Sequence, residues 1–121
     1  MTWSFDSNSP VSLQIANALR LEILKGNFMP GELFPTVRQL ACDAYVNPNT
    51  VQKALSILEA EGLLITKSTN GRYVTSDESI IKSSLVALQA RYIERVLKEG
   101  EALGISREKF IEILNEEEHK T

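Results

Sequence analysis

The chain has 121 residues, a formal net charge of −3, 43% hydrophobic and 24% charged residues, one cysteine and one histidine. This ordinary globular composition suits one compact domain with a short appendage, and it excludes a disordered chain or two full domains. The longest apolar run, residues 85–88, is far too short for a membrane span, and a lone Cys42 cannot form an internal disulfide, which fits a reducing cytoplasm.

The N-terminal segment, residues 1–6, lacks the basic and apolar regions of a signal peptide. Its rings, Trp3 and Phe5, fall on one side of an extended arm and are expected to pack on the domain. Ser9-Pro10 predicts a helix start, with the hydroxyl as cap and proline at the first helical position. Val11, Ile15, Leu19 and Ile23 recur every four residues, with Ala16 and Ala18 close by, so an amphipathic helix runs to Gly26. Residues 28–31 read as a turn, and residues 32–34 as at most a short strand.

A second helix opens after Pro35 with Thr36 as its cap. Val37, Leu40 and Ala41 face inward and Arg38 outward, while Cys42 is expected in a small buried apolar role. Residues 43–46 form a turn, and Asn47-Pro48 repeats the cap-then-proline start. Val51, Leu55 and Leu58 make the buried stripe of the third helix, leaving Asn49, Thr50, Gln52, Lys53 and Ser56 outside. Gly62 stops this helix. Residues 63–65 enter a strand, residues 67–71 form a polar tip with the two-residue hairpin signal Asn70-Gly71, and residues 72–75 return as the second strand.

From Asp77 to Leu103 the spacing predicts a long helix with an apolar stripe of Ile81, Leu85, Leu88, Tyr92 and Val96. Ile80, Val86, Ile93 and Leu97 widen the stripe, so this helix must be covered from two directions. Gly104 ends it. Ser106 starts a last helix with Phe110, Ile111, Ile113 and Leu114 on its apolar side, and residues 116–121 are a solvated end. The fold expected is mainly α with a small β-wing. It comprises a winged helix-turn-helix domain over residues 1–75 and a short two-helix C-terminal dimerisation segment over residues 76–121.

Residues 1–75 carry six basic and six acidic side chains, whereas residues 76–121 carry seven and ten, so the appendage holds the whole net charge. Catalysis is excluded by inventory: the one histidine, His119, lies in an acidic tail where no triad assembles around it. The neighbouring glutamates have no other Cys or His to complete a metal site, and no glycine-rich loop cradles a phosphate, so no metal or cofactor is expected. The outer face of the third helix is what carries chemistry. Asn49, Gln52 and Lys53 supply amides and a cation that reach base edges in a major groove, and Thr50 meets a phosphate or a thymine methyl. The helix N-terminus is expected to present unpaired N–H groups to the DNA backbone.

These elements resemble the winged helix-turn-helix domain of the GntR family of bacterial transcription regulators. The resemblance rests on Gln14-Ile15, Leu24-Lys25-Gly26, Pro30-Gly31, the run from Pro35 through Ala41, Asn49-Thr50-Val51, the run from Leu58 through Leu63, and Gly71-Arg72-Tyr73-Val74. Thr36-Val37-Arg38, the run from Asn47 through Ala54, and the two-helix tail are similar to the YtrA subfamily. The resemblance implies that Thr36, Arg38, Asn47 and the start of the third helix contact a pseudo-palindromic operator in double-stranded DNA. Lys67, Asn70, Gly71 and Arg72 of the wing would then touch backbone or minor groove. It further implies a cytoplasmic homodimer, a repressor of a transporter-type operon. Pro48 and Gln52 stand where many members carry arginine, so those base contacts do not transfer. Two helices over residues 76–121 leave no room for a large effector domain. The alternative from a different class is a winged-helix protein-interaction module without specific DNA binding, separable by salt-dependent, sequence-selective binding.

Overall fold

The structure, a computed structural model, describes residues 1–68 and 71–120, with the side chains of all of these except 118–120. The elements run α1 (Val11–Leu24), α2 (Val37–Ala44), α3 (Pro48–Ala60), β1 (Leu64–Thr66), β2 (Arg72–Val74), α4 (Glu78–Glu101) and α5 (Arg107–Lys120). The fold is mainly helical with a two-stranded antiparallel wing, as the sequence pattern predicts. The chain divides into two compact units, Met1–Ser84 and Leu85–Thr121, and the division falls within α4.

The core of the first unit follows from helical periodicity. Ile15, Leu19 and Ile23 of α1 and Val51, Ala54, Leu55 and Leu58 of α3 are at most 1% exposed, so the two helices bury matching stripes. Leu40, Ala41 and Ala44 close the core from α2, and Leu63, Leu64 and Val74 from the wing. Leu33 forms a bridge to Tyr73, and backbone bonds Phe34 N to Arg72 O (2.8 Å) and Val74 N to Glu32 O (2.9 Å) lay residues 32–34 along the edge of β2. Phe34 is buried there and packs its ring on Phe28 at 4.8 Å.

The caps decide where the helices begin. Thr36 and Gln39 form a reciprocal capping box at α2: Thr36 Oγ1 accepts from Gln39 N (3.1 Å) and Gln39 Oε1 from Thr36 N (2.8 Å). Asn47 Oδ1 accepts from Asn49 N (2.7 Å) at α3, with Pro48 at the first helical position. The start of α1 differs from expectation. Pro10 is itself the extended cap residue, and no side chain caps the helix, because Ser9 lies one position too early. Instead the Gln14 carboxamide reaches back, donating to Ser9 O (2.8 Å) and Asp6 O (3.0 Å) and accepting from Asp6 N (3.0 Å). The arm is further pinned by Trp3 Nε1 donating to Asp43 Oδ2 (2.7 Å), with the Phe5 ring beside it.

Two further expectations are corrected. The turn after α2 is tighter than residues 43–46, because the helix runs on to Ala44 and Tyr45 alone adopts the left-handed conformation (φ 56°, ψ 46°). Cys42 is exposed, since the inward positions of α2 are taken by Leu40, Ala41 and Ala44 and the residue between them turns outward.

At the entrance to α4, Asp77 Oδ1 accepts from Ser79 N (3.0 Å) and Ser79 Oγ (2.5 Å), and these bonds hold the Asp77 carboxyl below its ordinary range. In the second unit, Ser106 Oγ accepts from Lys109 N (3.1 Å) to start α5, and Ile105 packs over Gly100. Little apolar surface is buried within this unit: Val86, Tyr92, Ile93, Leu103, Ile111 and Leu114 are all more than half exposed.

The cap of α3 and its core stripe give separable stability effects. Asn47→Ala should cost about 1 kcal/mol by loss of the cap, and Leu55→Ala roughly 2–5 kcal/mol by transfer and cavity terms. Chemical denaturation of both variants checks the ordering, which fails if the two losses are equal.

Candidate nucleic-acid interface

The sequence of α3 alternates a face that cannot leave the core with one that has nothing to bind inside the protein. Opposite the buried Val51, Ala54, Leu55 and Leu58, the side chains of Asn49, Gln52, Lys53 and Ser56 are exposed and Thr50 is half-buried. None of these five side chains makes a hydrogen bond or ion pair among the described residues. Two amides and an ammonium within the first two turns of a helix present donors and acceptors suited to base edges.

The backbone at this helix start differs from expectation. Pro48 has no N–H, the Asn49 N–H is taken by Asn47 Oδ1, and those of Thr50 and Val51 go to Asn47 O (2.9 and 3.3 Å). Residues 48–51 therefore offer no free N–H, because the cap consumes these donors, and at this helix start the N–H of Asn47 itself is left without a partner among the described residues. Further free donors lie at α2. Val37 N and Arg38 N have no partner among the described residues, and the Arg38 side chain is exposed beside them and unpaired.

Pairing sorts the charges of the first unit. Arg20 grips Glu61 through two bonds, Nε to Oε1 (2.7 Å) and Nη2 to Oε2 (2.6 Å), and Lys25 lies 3.9 Å from Glu22. Arg72 is ion-paired with Glu59. Among the described residues, the side-chain cations of residues 1–75 outside any ion pair are then Arg38, Lys53 and Lys67, all on the segments singled out by sequence. A domain neutral by count thus keeps free positive charge on its helix-turn-helix and wing.

The wing is described up to its tip. Strand register pairs Leu64 with Val74, Ile65 with Tyr73 and Thr66 with Arg72, and Lys67 N bonds Gly71 O (2.9 Å). The Asn70-Gly71 hairpin signal falls between these two strands. Asn70 itself lies outside the described residues, as does the His119 side chain. Lys67 is exposed with Nζ 4.7 Å from the Tyr73 ring centre, and Gly71 adopts a positive φ of 93° that only glycine takes without strain.

Arg72 sits differently from a free wing cation. It is half-buried, and its Nε–H donates to Glu59 Oε1 while Thr66 Oγ1 donates to Glu59 Oε2 (3.0 Å). Sequence reading missed Glu59 and Thr66, which carry no local signal. The Arg72 hydrogen bond holds the Glu59 carboxyl below the ordinary carboxylate range, against an opposing effect of burial that outweighs the smaller lowering by the Thr66 bond. A carboxyl depressed in the folded state adds stability above its unfolded titration range and loses it as pH falls through the folded value. Glu59→Gln should therefore flatten the acid limb of the stability curve. Melting midpoints taken across the acid range would show this as convergence of variant and wild type at low pH, and parallel curves would contradict it.

A capped helix, a tight turn, a second helix bare on its outer face and an antiparallel wing define a winged helix-turn-helix DNA-binding module. The family model described as "Bacterial regulatory proteins, gntR family" matches residues 11–74. The chain is 30% identical over 108 residues to the HTH-type transcriptional regulator YhcF of Bacillus subtilis (strain 168), covering 89% of each. It is 34% identical over 114 residues to the HTH-type transcriptional repressor YtrA of the same organism, covering 91% of this chain and 85% of that one. A solved GntR family transcriptional regulator from Listeria monocytogenes matches with a TM-score of 0.85 at 31% identity, over 93% of this chain and 98% of that chain. The protein belongs to the GntR family of bacterial transcription regulators and is similar to its YtrA-type members. It is a DNA-binding transcriptional regulator whose relatives are regulators and not enzymes. Among the described residues no helix is long and apolar enough to cross a membrane.

Proposed function

We propose that the protein is a cytoplasmic homodimeric repressor that reads a pseudo-palindromic operator through α3. The observation that carries this reading is the exposed, unpartnered set Asn49, Gln52 and Lys53 on a helix whose other side is wholly buried. Asn49 and Gln52, three residues apart, share a face and pair with adenine edges, while Lys53 and Thr50 meet flanking phosphate or a thymine methyl. Thr36, Arg38 and Asn47 hold the backbone at the helix starts. Asn47 does so through its amide N–H groups, since its oxygen is engaged in the cap. Lys67, Asn70, Gly71 and Arg72 meet backbone or minor groove from the wing. The similarity to the repressor YtrA supports repression; the transporter-type operon follows from the subfamily resemblance alone.

Dimerisation uses Ile81, Leu85, Leu88, Tyr92 and Val96, which are half-buried or exposed within one chain. A groove of about 380 Å³ lined by Gln89, Ala90, Ile93, Glu94, Leu97 and Arg107 lies on the same helix and α5. Apolar surface left uncovered over this many turns is what a second copy would bury. In sedimentation the full chain is expected as a dimer at micromolar concentration, and Leu88→Lys with Tyr92→Lys as a monomer with reduced DNA affinity. A wild type that sediments as a monomer refutes the dimer.

Base reading is tested by titration on a duplex selected from a random library by the full-length protein, beside a scrambled duplex. Asn49→Ala or Gln52→Ala should cost about 1–3 kcal/mol on the selected duplex and much less on the scrambled one, with the melt unchanged. Equal losses on both would mean that α3 does not read bases through these amides.

A further inference from the structure

Glu59 is a half-buried acid near the end of the helix that carries Asn49 and Gln52, and its bonds reach the wing. Its carboxylate accepts from Arg72 Nε and, through the other oxygen, from Thr66 Oγ1 (3.0 Å). Thr66 and Arg72 are cross-strand partners and form the last paired rung before the wing tip. One carboxylate near the end of α3 thus ties both strands of the wing to the helix that carries Asn49 and Gln52. Those side chains lie seven or more residues earlier, about 10 Å or more along the axis. The guanidinium spends only its Nε–H on this bond: the terminal amino groups of Arg72 have no partner among the described residues.

We infer that Glu59 is a positioning residue for DNA binding, fixing the wing on α3 and aiming the terminal amino groups of Arg72 at a backbone phosphate. The inference rests on the assignment of the wing to DNA made above. Arginine suits the role because its planar fork donates in two directions at once: one edge can be held by protein while the other stays free for phosphate. Holding the fork removes rotamer freedom before binding, so less is lost on contact. Thr66 makes the arrangement directional, since its hydroxyl occupies the second carboxylate oxygen and keeps the carboxylate turned toward the rung.

Charge and geometry predict opposite outcomes. A carboxylate lying within a Debye length of phosphate, about 8–10 Å in physiological salt, repels it, so by charge alone removing Glu59 should tighten binding. By geometry Glu59→Ala should weaken it about tenfold, the scale of one charge-assisted contact. Glu59→Gln separates the two, because the carboxamide oxygen can still accept from Arg72 Nε while its charge is gone. Binding by this variant should stay within about threefold of wild type. Glu59→Asp keeps the charge and withdraws it by one methylene, and should weaken binding as alanine does.

The measurement is titration of full-length wild type and variants on the library-selected duplex at several salt concentrations, each beside a thermal melt. Glu59→Ala and Arg72→Ala should each lower the steepness of the salt dependence by about one unit, and in the Arg72→Ala background Glu59→Ala should have no further effect. If alanine fails to fold, Glu59→Asp against Glu59→Gln decides the same question. Binding by Glu59→Ala or Glu59→Asp as tight as wild type, or equal losses for Gln and Asp, overturns the role of Glu59 alone. A wild type that enriches no duplex overturns the assignment of the wing to DNA, and this role with it.

Discussion

Helix α3 must be dry on one side and bare on the other, and the rest of the first unit answers to that constraint. Val51, Ala54, Leu55 and Leu58 are 0% exposed, so the helix cannot rotate about its axis without bringing polar groups into the core. With rotation fixed, the outward direction of Asn49, Gln52 and Lys53 is a consequence of packing and needs no bond of its own. The two caps fix the helix along its axis in the same way. Asn47 sets where α3 begins, and the left-handed Tyr45 sets how soon it follows α2.

The two acids at the other end of α3 then attach its neighbours. Glu61 takes Arg20 from α1 and Glu59 takes Arg72 from the wing, so each ion pair crosses between elements. Such partly exposed pairs contribute little to stability, roughly 0–1 kcal/mol each. Their larger consequence is electrostatic. They engage Arg20 and, through its Nε–H alone, Arg72, and leave Arg38, Lys53 and Lys67 as the cations outside any ion pair among the described residues, which a charge count over residues 1–75 hides.

Features governed by periodicity and local hydrogen bonding were legible in the sequence: the α1 and α3 stripes, the Thr36 and Asn47 caps, and a wing after Gly62. Features governed by long-range pairing were not. Arg72 and Glu59 are 13 residues apart and Arg20 and Glu61 are 41 apart, so only the strand register and the α1–α3 packing bring them together. The free N–H groups expected at α3 are fewer for a related reason, since the asparagine that marks the helix start also consumes a donor there. Cys42 was misplaced because its small apolar side chain suggested burial by residue type, although the inward face formed by Leu40, Ala41 and Ala44 turns it outward. At α1 the serine-proline pair pointed to a cap one residue early, and the side chain doing the work, Gln14, reaches back from inside the helix.

The small free charge of one head bears on the proposed assembly. Three unpaired cations release few counterions, so sequence-independent attraction of a single head to DNA is weak and its salt dependence shallow. Amide readout adds discrimination of about 1–3 kcal/mol per good base contact, which over one short helix start falls below the affinities typical of operators. Two heads joined through the exposed stripe of α4 would turn the second contact into an intramolecular one, raising affinity without any new side chain. Weak electrostatics then favours specificity: each head alone discriminates poorly against nonspecific DNA by charge, but only a site with both half-sites satisfies the pair.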